Sequence, residues 1–245
     1  MTKLEMTQHP AETSPQVYAR TGGVLYLIII AAGLFDEAVR DNAIVSRDAT
    51  ATANHVMASE LLFRVSIAGD LVKLACAVAL ALIFYVLLRP VSKNLALLAA
   101  FLNLVSIAVE AAYNLYLFAA LFLLGGADYL RAFEPHQLHA LAYLALKSHD
   151  QGFAISLVFF GCQCLVLGVL IFRSGYLPKI LGVLMQIAGV CYLVNSFVLF
   201  LSPGFAGLIF PAIMIPAFIG ESSVCLWFIV RGVNLPKWRE RGVSS

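Results

Sequence analysis

Residues 95–124 read LALLAAFLNLVSIAVEAAYNLYLFAALFLL, and Glu110 is the one charged side chain in this apolar run. An α-helix of this length would extend for about 45 Å. The hydrocarbon core of a bilayer is only about 30 Å thick, so such a helix must tilt or project beyond it. The run therefore predicts a membrane-spanning helix that carries a carboxyl group near its middle.

Five more apolar segments accompany this one. We predict membrane spans over residues 22–39, 59–88, 95–124, 152–172, 177–201 and 207–230. Between the third and fourth spans, Glu134-Pro135 is typical of a helix start, and the apolar side chains that follow on one side predict a short helix lying in the interface. The sequence thus predicts an all-α integral membrane helical bundle with six transmembrane helices plus one short amphipathic helix.

The composition excludes several classes of protein. Hydrophobic residues make up 61% of the chain and charged residues 12%, and the mean hydropathy is +0.90, all outside the range of water-soluble domains. A net charge of +2 gives no support for nucleic acid as a partner, so membrane lipid is the predicted environment. The five cysteines have no metal-ligand spacing and are interpreted as packing residues. No nucleotide-binding or hydrolase motif is present, and no cofactor is predicted.

The ends of the chain differ from its apolar part. We predict a disordered cytoplasmic tail over residues 1–20, a six-helix transmembrane domain over 21–231 and a basic cytoplasmic tail over 232–245. A signal peptide cleaved near Ala31-Ala32-Gly33 is an alternative interpretation of the first apolar segment. Ten Lys and Arg residues fall on the side of the two termini and five on the other, which predicts cytoplasmic termini in the plasma membrane.

Four charged residues lie deep within the predicted spans: Asp70, Lys73, Glu110 and Glu221. A formal charge at the centre of a bilayer is costly and is usually retained for a function. We expect the four to converge on one polar site, with Lys73 neutralised by Asp70 and then by another carboxylate, and the remaining carboxyl protonated or bound to a ligand. Pro211 and Pro216 precede Glu221 and predict a bend beside it.

Polar residues also align on helix faces. Asn103, Ser106, Glu110 and Asn114 form one stripe, while His149, Ser156 and Gln163 form another. The predicted ligand-binding residues are Asp70, Lys73, Glu110, Asn114, Gln163 and Glu221. The alternative interpretation is that the amides only join neighbouring helices and that Asp70 and Lys73 only neutralise each other.

The predicted outer face holds further charged and ionisable side chains. Glu37 with Arg40, and Glu60 with Arg64, have the spacing of helical ion pairs, and we expect a structural role for both pairs. His136, His139 and His149 are weak candidates for metal ligands, because their spacing matches no established motif.

Several short stretches together resemble one family. They are YARTGGVLYLI (18–28), ASELLFR (58–64), GDLV (69–72), LLRPV (87–91), FFGC (159–162), RSGYLPK (173–179), GE (220–221) and LW (226–227). As a set they are similar to a bacterial membrane family known as domain of unknown function 4386, over nearly the whole chain. The resemblance implies a multi-pass helical membrane protein, and it implies no activity and no catalytic residue.

Three functions from different classes remain open. The first is binding or transport of a small polar or amphipathic molecule, or a lipid, in a cavity formed around Asp70, Glu110 and Glu221, with coupling to protons. The second is a membrane enzyme with its chemistry at the outer face, where His149 and neighbouring carboxylates or histidines would hold a metal or act as a base. The third is an accessory subunit whose charges specify helix pairing.

Overall fold

The computed structural model describes residues 14–210 and 212–243, and these residues form helices without any strand. The helices are α1 (Pro15–Ala43), α2 (Ala49–Ala58), α3 (Glu60–Leu88), α4 (Lys93–Tyr113), α5 (Leu115–Leu124), α6 (Pro135–Ser174), α7 (Lys179–Leu201), α8 (Pro203–Ile209), α9 (Met214–Val230) and α10 (Leu235–Val243), with a 3-10 turn at Asp128–Leu130. The predicted all-α membrane bundle is confirmed.

Within residues 14–210 and 212–243, five helical segments are long and apolar enough to cross a membrane: α1, α3, α4 together with α5, α6 and α7. A sixth span is obtained if α8 and α9, which are bent by 56° relative to each other, count as one. Pro216 lies in the first turn of α9, whereas Pro211 lies outside the described residues. The bend was thus expected from the sequence, but the separate helix α8 was not.

Six helices form a ring. In chain order, α1, α3, α4, α6, α7 and α9 each pack against the next, and α9 returns to pack against α1. The start of α1 and the end of α9 are tied together, because the Gln16 amide donates to the Arg231 carbonyl at 2.9 Å and accepts from the Val233 N–H at 3.0 Å. The ring is therefore closed by contacts between the two ends of the chain.

Glycines allow a close contact between α6 and α7. A Cβ added to Gly182 would lie 2.6 Å from the carbonyl oxygen of Gly168, and one added to Gly189 would lie 2.6 Å from that of Gly161. Small residues allow membrane helices to approach in this way. Gly175 has another role and ends α6 with a φ of +77°.

Helices extend beyond the predicted transmembrane domain of residues 21–231. The first helix begins at Pro15, where the Ser14 side chain caps it, so residues 15–20 belong to α1, and residues 1–13 of the predicted tail lie outside the described residues. Residues 235–243 of the predicted basic tail form α10, which the Trp238 indole fastens to the Leu87 carbonyl at 3.0 Å. Residues 15–20 and 235–243 are therefore helical because they contact the bundle, although their own composition favours disorder.

The predicted short amphipathic helix exists as the first turns of α6 and not as a separate element. It begins at the predicted position, where Glu134 and Gln137 form a capping box. No helix-breaking residue separates this segment from the fourth span, so the helix continues to Ser174. At the junction, Gly152 lies against the Tyr113 side chain of α4. The third span is divided at Asn114, and α2 was not predicted.

Candidate functional site

A polar belt crosses the bundle between two apolar clusters. One cluster holds Tyr26, Leu87, Ala99 and Leu170, and the other holds Val39, Ile67, Leu121 and Leu146. Along α1, α3, α4–α5 and α6, buried polar residues lie mostly between these clusters, among them Asp36, Asp70, Ser106 and His149. The buried polar groups are thereby concentrated in one layer at the interior of the ring.

Lys73 is the centre of one polar group in this belt. Its ammonium lies against Asp70 one turn earlier on α3 and 2.6 Å from Oε1 of Glu110 on α4. The Asn114 amide donates to the second oxygen of Asp70 at 2.8 Å. Lys73 therefore pairs with Asp70 and with a second carboxylate, as expected. The second carboxylate is Glu110.

Glu221 forms a second polar group on α9. Its carboxylate accepts hydrogen bonds from the hydroxyls of Tyr26 on α1, at 3.0 Å, and Tyr192 on α7. It has no ion pair with any residue in ranges 14–210 and 212–243. Glu221 therefore does not contact Lys73 directly, and its partners are tyrosine hydroxyls, which no charge count can reveal.

One cavity of about 300 Å³ touches both polar groups. All six helices of the ring contribute to its wall, through residues such as Gly33 on α1, Lys73 on α3, Glu110 on α4, Gln163 on α6, Tyr192 on α7 and Glu221 on α9. Four of the six predicted ligand-binding residues, Lys73, Glu110, Gln163 and Glu221, line it. The other two, Asp70 and Asn114, are buried behind the wall, where they hold Lys73 in place.

The two predicted stripes meet between α4 and α6. The Ser106 hydroxyl lies 2.9 Å from the Ser156 hydroxyl and 3.1 Å from the Ser156 carbonyl oxygen. These serines therefore join the two helices, a role that the alternative interpretation gave to the amides. Gln163 differs, because it lines the cavity and its buried amide oxygen has no hydrogen-bond partner in the part of the chain that the structure describes.

Arg40 forms a third polar group, at the end of the cavity next to α6. Its guanidinium lies 2.9 Å from Asp36, 2.5 Å from Glu37 and 3.7 Å from Asp150. The contact with Asp150 connects α1 to α6, which are not neighbours in the ring. The expected Glu37–Arg40 pair is present as part of this larger network, whereas Glu60 and Arg64 form an isolated pair at 2.7 Å.

The three histidines are not brought together. His136 and His139 lie in the exposed first turns of α6, where His139 is 3.4 Å from the Thr50 hydroxyl. His149 is buried, with its ring 4.6 Å from that of Tyr113 in an edge-on contact. Among the described residues no three His, Cys, Asp or Glu side chains are grouped so that they could hold a metal ion.

Sequence reasoning missed the aromatic residues of the cavity. Tyr26 and Tyr192 supply the hydroxyls that meet Glu221, and Phe160 packs against Tyr192 with 5.3 Å between ring centroids. Aromatic side chains are common in membrane helices, so their identity gives no indication of which face the cavity.

Outside the spans, burial raises the pKa of Tyr176, whose hydroxyl donates to the Leu87 carbonyl at 2.6 Å near α10.

Comparisons with known proteins bear on the family of this chain. A family model described as "Domain of unknown function (DUF4386)" matches residues 21–232. An uncharacterized protein of Archaeoglobus fulgidus is 31% identical over 170 residues, which cover 69% of this chain and 85% of the relative. No solved structure matches the chain. This relative is archaeal, whereas the resemblance in the sequence implied a bacterial family.

Proposed function

The chain belongs to the DUF4386 family, and from the geometry of its central cavity we propose that it binds or transports a small molecule with both polar and apolar parts. The proposal rests on one cavity that all six helices of the ring line. This cavity touches both the Lys73–Glu110 pair and Glu221. Ligand sites of this kind combine apolar walls with a few convergent polar groups. Charges buried within membrane-spanning segments are typical of such pathways.

We further propose that the chain crosses the plasma membrane several times with both termini in the cytoplasm. The excess of Lys and Arg on the side of the termini supports this orientation. The contacts of Gln16 with residues 231 and 233 support an even number of crossings, because they bring the start of α1 and the end of α9 to one end of the bundle. The polar belt then lies at membrane depth.

Filling the cavity tests the binding proposal. Ala77 lines the cavity, whereas its neighbour Val78 is exposed on the outer surface of the ring. Ala77→Trp should therefore occupy the ligand's space, and Val78→Trp should add the same side chain outside it. A ligand that binds only the folded protein raises its melting temperature by mass action.

The measurement is a thermal-shift screen of neutral, anionic and cationic small molecules and lipids with the purified full chain. Compounds that raise the melting temperature of the wild type and of Val78→Trp, with little effect on Ala77→Trp, support the proposal. If the same compounds stabilise Ala77→Trp equally, or if no compound stabilises the wild type, the cavity is not a binding site.

A further inference from the structure

The wall of the cavity carries more carboxyl groups than cations. Its carboxyl groups are those of Asp36, Glu37, Glu110 and Glu221, and its cations are Arg40 and Lys73. Both cations are already engaged, because Lys73 contacts two carboxylates and Arg40 contacts three. When all these groups are ionised, the lining has two more negative charges than positive charges. A cation entering the cavity would reduce this imbalance.

Glu221 is the carboxyl group that this imbalance leaves without a counter-ion. Its only hydrogen-bond donors in the described part of the chain are the neutral hydroxyls of Tyr26 and Tyr192. A buried carboxylate is costly unless a positive charge or several donors compensate it. The two tyrosines fix its position against the cavity, and either a proton or a cation that enters the cavity would neutralise its charge.

Gln163 provides an independent indication. This side chain is only 3% exposed, it lines the same cavity, and its amide oxygen lacks a hydrogen-bond partner among the described residues. A buried acceptor without a donor costs about 1 to 3 kcal/mol. A ligand that brings a donor group or a positive charge would satisfy this oxygen, whereas an anion without a donor group would not.

The rest of the wall suits an apolar body with a positive charge. Seven aromatic side chains line the cavity, among them Phe84, Phe153, Phe160 and Phe218. The faces of aromatic rings attract organic cations, and aromatic cages recognise quaternary ammonium groups. Leu34 on α1 and Phe218 on α9 also line the cavity and are 55% and 47% exposed, so the cavity reaches the outer surface between these neighbouring helices.

We propose that the ligand is an organic cation with an apolar body, and that Glu221 is its counter-ion. This inference rests on the proposed binding function and specifies the chemical class that the cavity takes. The positive charge lies beside Glu221, and the apolar body contacts the aromatic rings. Entry between α1 and α9 gives such a molecule direct access from the lipid.

Two hydrophobic ions of matched shape and opposite charge test the proposal. Binding of tetraphenylphosphonium and of tetraphenylborate to the purified full chain is measured by equilibrium dialysis, with excess unlabelled ion to establish saturable binding. We expect tetraphenylphosphonium to bind at least about tenfold more tightly than tetraphenylborate, which corresponds to about 1.4 kcal/mol. This comparison needs no variant. Equal or tighter binding of tetraphenylborate would overturn the proposal.

Glu221→Gln then assigns the counter-ion, because the amide removes the charge while its oxygen still accepts from one tyrosine hydroxyl and its NH2 group can donate to the other. Its affinity for tetraphenylphosphonium should fall about tenfold or more, and Glu60→Gln, at an exposed carboxyl, should bind as the wild type does. An unchanged affinity in folded Glu221→Gln would overturn the assignment. Binding of tetraphenylborate that equals or exceeds that of tetraphenylphosphonium, and that Ala77→Trp blocks, would overturn the cation inference and leave the cavity proposal intact. If neither ion binds saturably to the wild type, the cation inference fails, and the thermal-shift screen decides the cavity proposal separately.

Discussion

Lys73 on α3 lies 2.6 Å from Glu110 on α4, measured from Nζ to Oε1, and this ion pair joins two helices inside the membrane-spanning part of the bundle. Asp70 contacts the same ammonium from within α3. One cation thus holds two carboxylates close together, and Asn114 supports the arrangement from α4–α5. The stability of this region should depend on all three charges as a unit.

Lys73→Met tests that dependence. The substitution keeps an unbranched side chain but leaves Asp70 and Glu110 facing each other without a cation, and breaking a buried ion pair from one side costs about 3 to 5 kcal/mol. We expect a loss of that size in the free energy of unfolding, measured by titration with a denaturing detergent in mixed micelles.

The triple variant Asp70→Asn, Lys73→Met, Glu110→Gln is the control. Replacing every member of a buried ion network is often nearly neutral, so the triple variant should be more stable than Lys73→Met alone. If the triple variant is the less stable of the two, the three residues do not form one network.

The glycine contact between α6 and α7 should tolerate no side chain. Gly189→Ala places a Cβ 2.6 Å from the Gly161 carbonyl oxygen, and overpacking of this kind costs about 1 to 3 kcal/mol. Gly69→Ala is the matched control within a helix, because nothing lies within 4 Å of its added Cβ. It should be neutral or slightly stabilising, and equal melting temperatures for the two variants would contradict the close packing.

Arg64 and Arg40 should respond differently to replacement by alanine. Arg64 and Glu60 are 49% and 39% exposed, and exposed pairs contribute about 0 to 1 kcal/mol, so Arg64→Ala should lower the melting temperature only slightly. The Arg40 side chain is 11% exposed and contacts three carboxylates, so Arg40→Ala should be markedly destabilising. Loss of ligand binding in a stable Arg64→Ala protein would contradict a purely structural role for this pair.

The predicted orientation can be measured in intact cells. The native cysteines are replaced, and single cysteines are introduced at Arg239, on α10, and at Asp128, whose side chain is exposed at the opposite end of the bundle. A thiol reagent that cannot cross the membrane should modify the cysteine at 128 and spare the one at 239. The reverse pattern would mean that the termini face outward.

The sequence was sufficient for the class of fold and for part of the site. Long apolar runs decide membrane insertion by themselves, and the spacing of Asp70 and Lys73 predicts their contact on one helix. That a second carboxylate would pair with Lys73 followed from the cost of an isolated charge, but the sequence did not distinguish Glu110 from Glu221 in this role. Each of these inferences uses only local spacing or the energy of a single group.

The rest depends on how the helices are arranged around one another. Glu221 had no cation three or four residues away, and only the closed ring shows that Tyr26 and Tyr192, far away in the chain, reach it. Whether the side chains of Gln163 and Asn114 face the cavity depends on the rotation of each helix about its own axis. The hydropathy of the sequence does not determine this rotation. The order in residues 15–20 and 235–243 likewise arises from contacts with the bundle.

The most direct test of the account is whether water reaches the interior of the ring at Gly33. This residue lines the cavity on α1, and a Cβ added there has Lys73 as its nearest neighbour at 4.0 Å, so a cysteine fits. In a protein without other cysteines, Gly33→Cys should react with a small methanethiosulfonate reagent much faster than Leu82→Cys, which is exposed on the outer surface of the ring. Adding Ala77→Trp should slow the reaction at position 33. If Gly33→Cys reacts as slowly as Leu82→Cys, with or without Ala77→Trp, the central cavity does not exist as described.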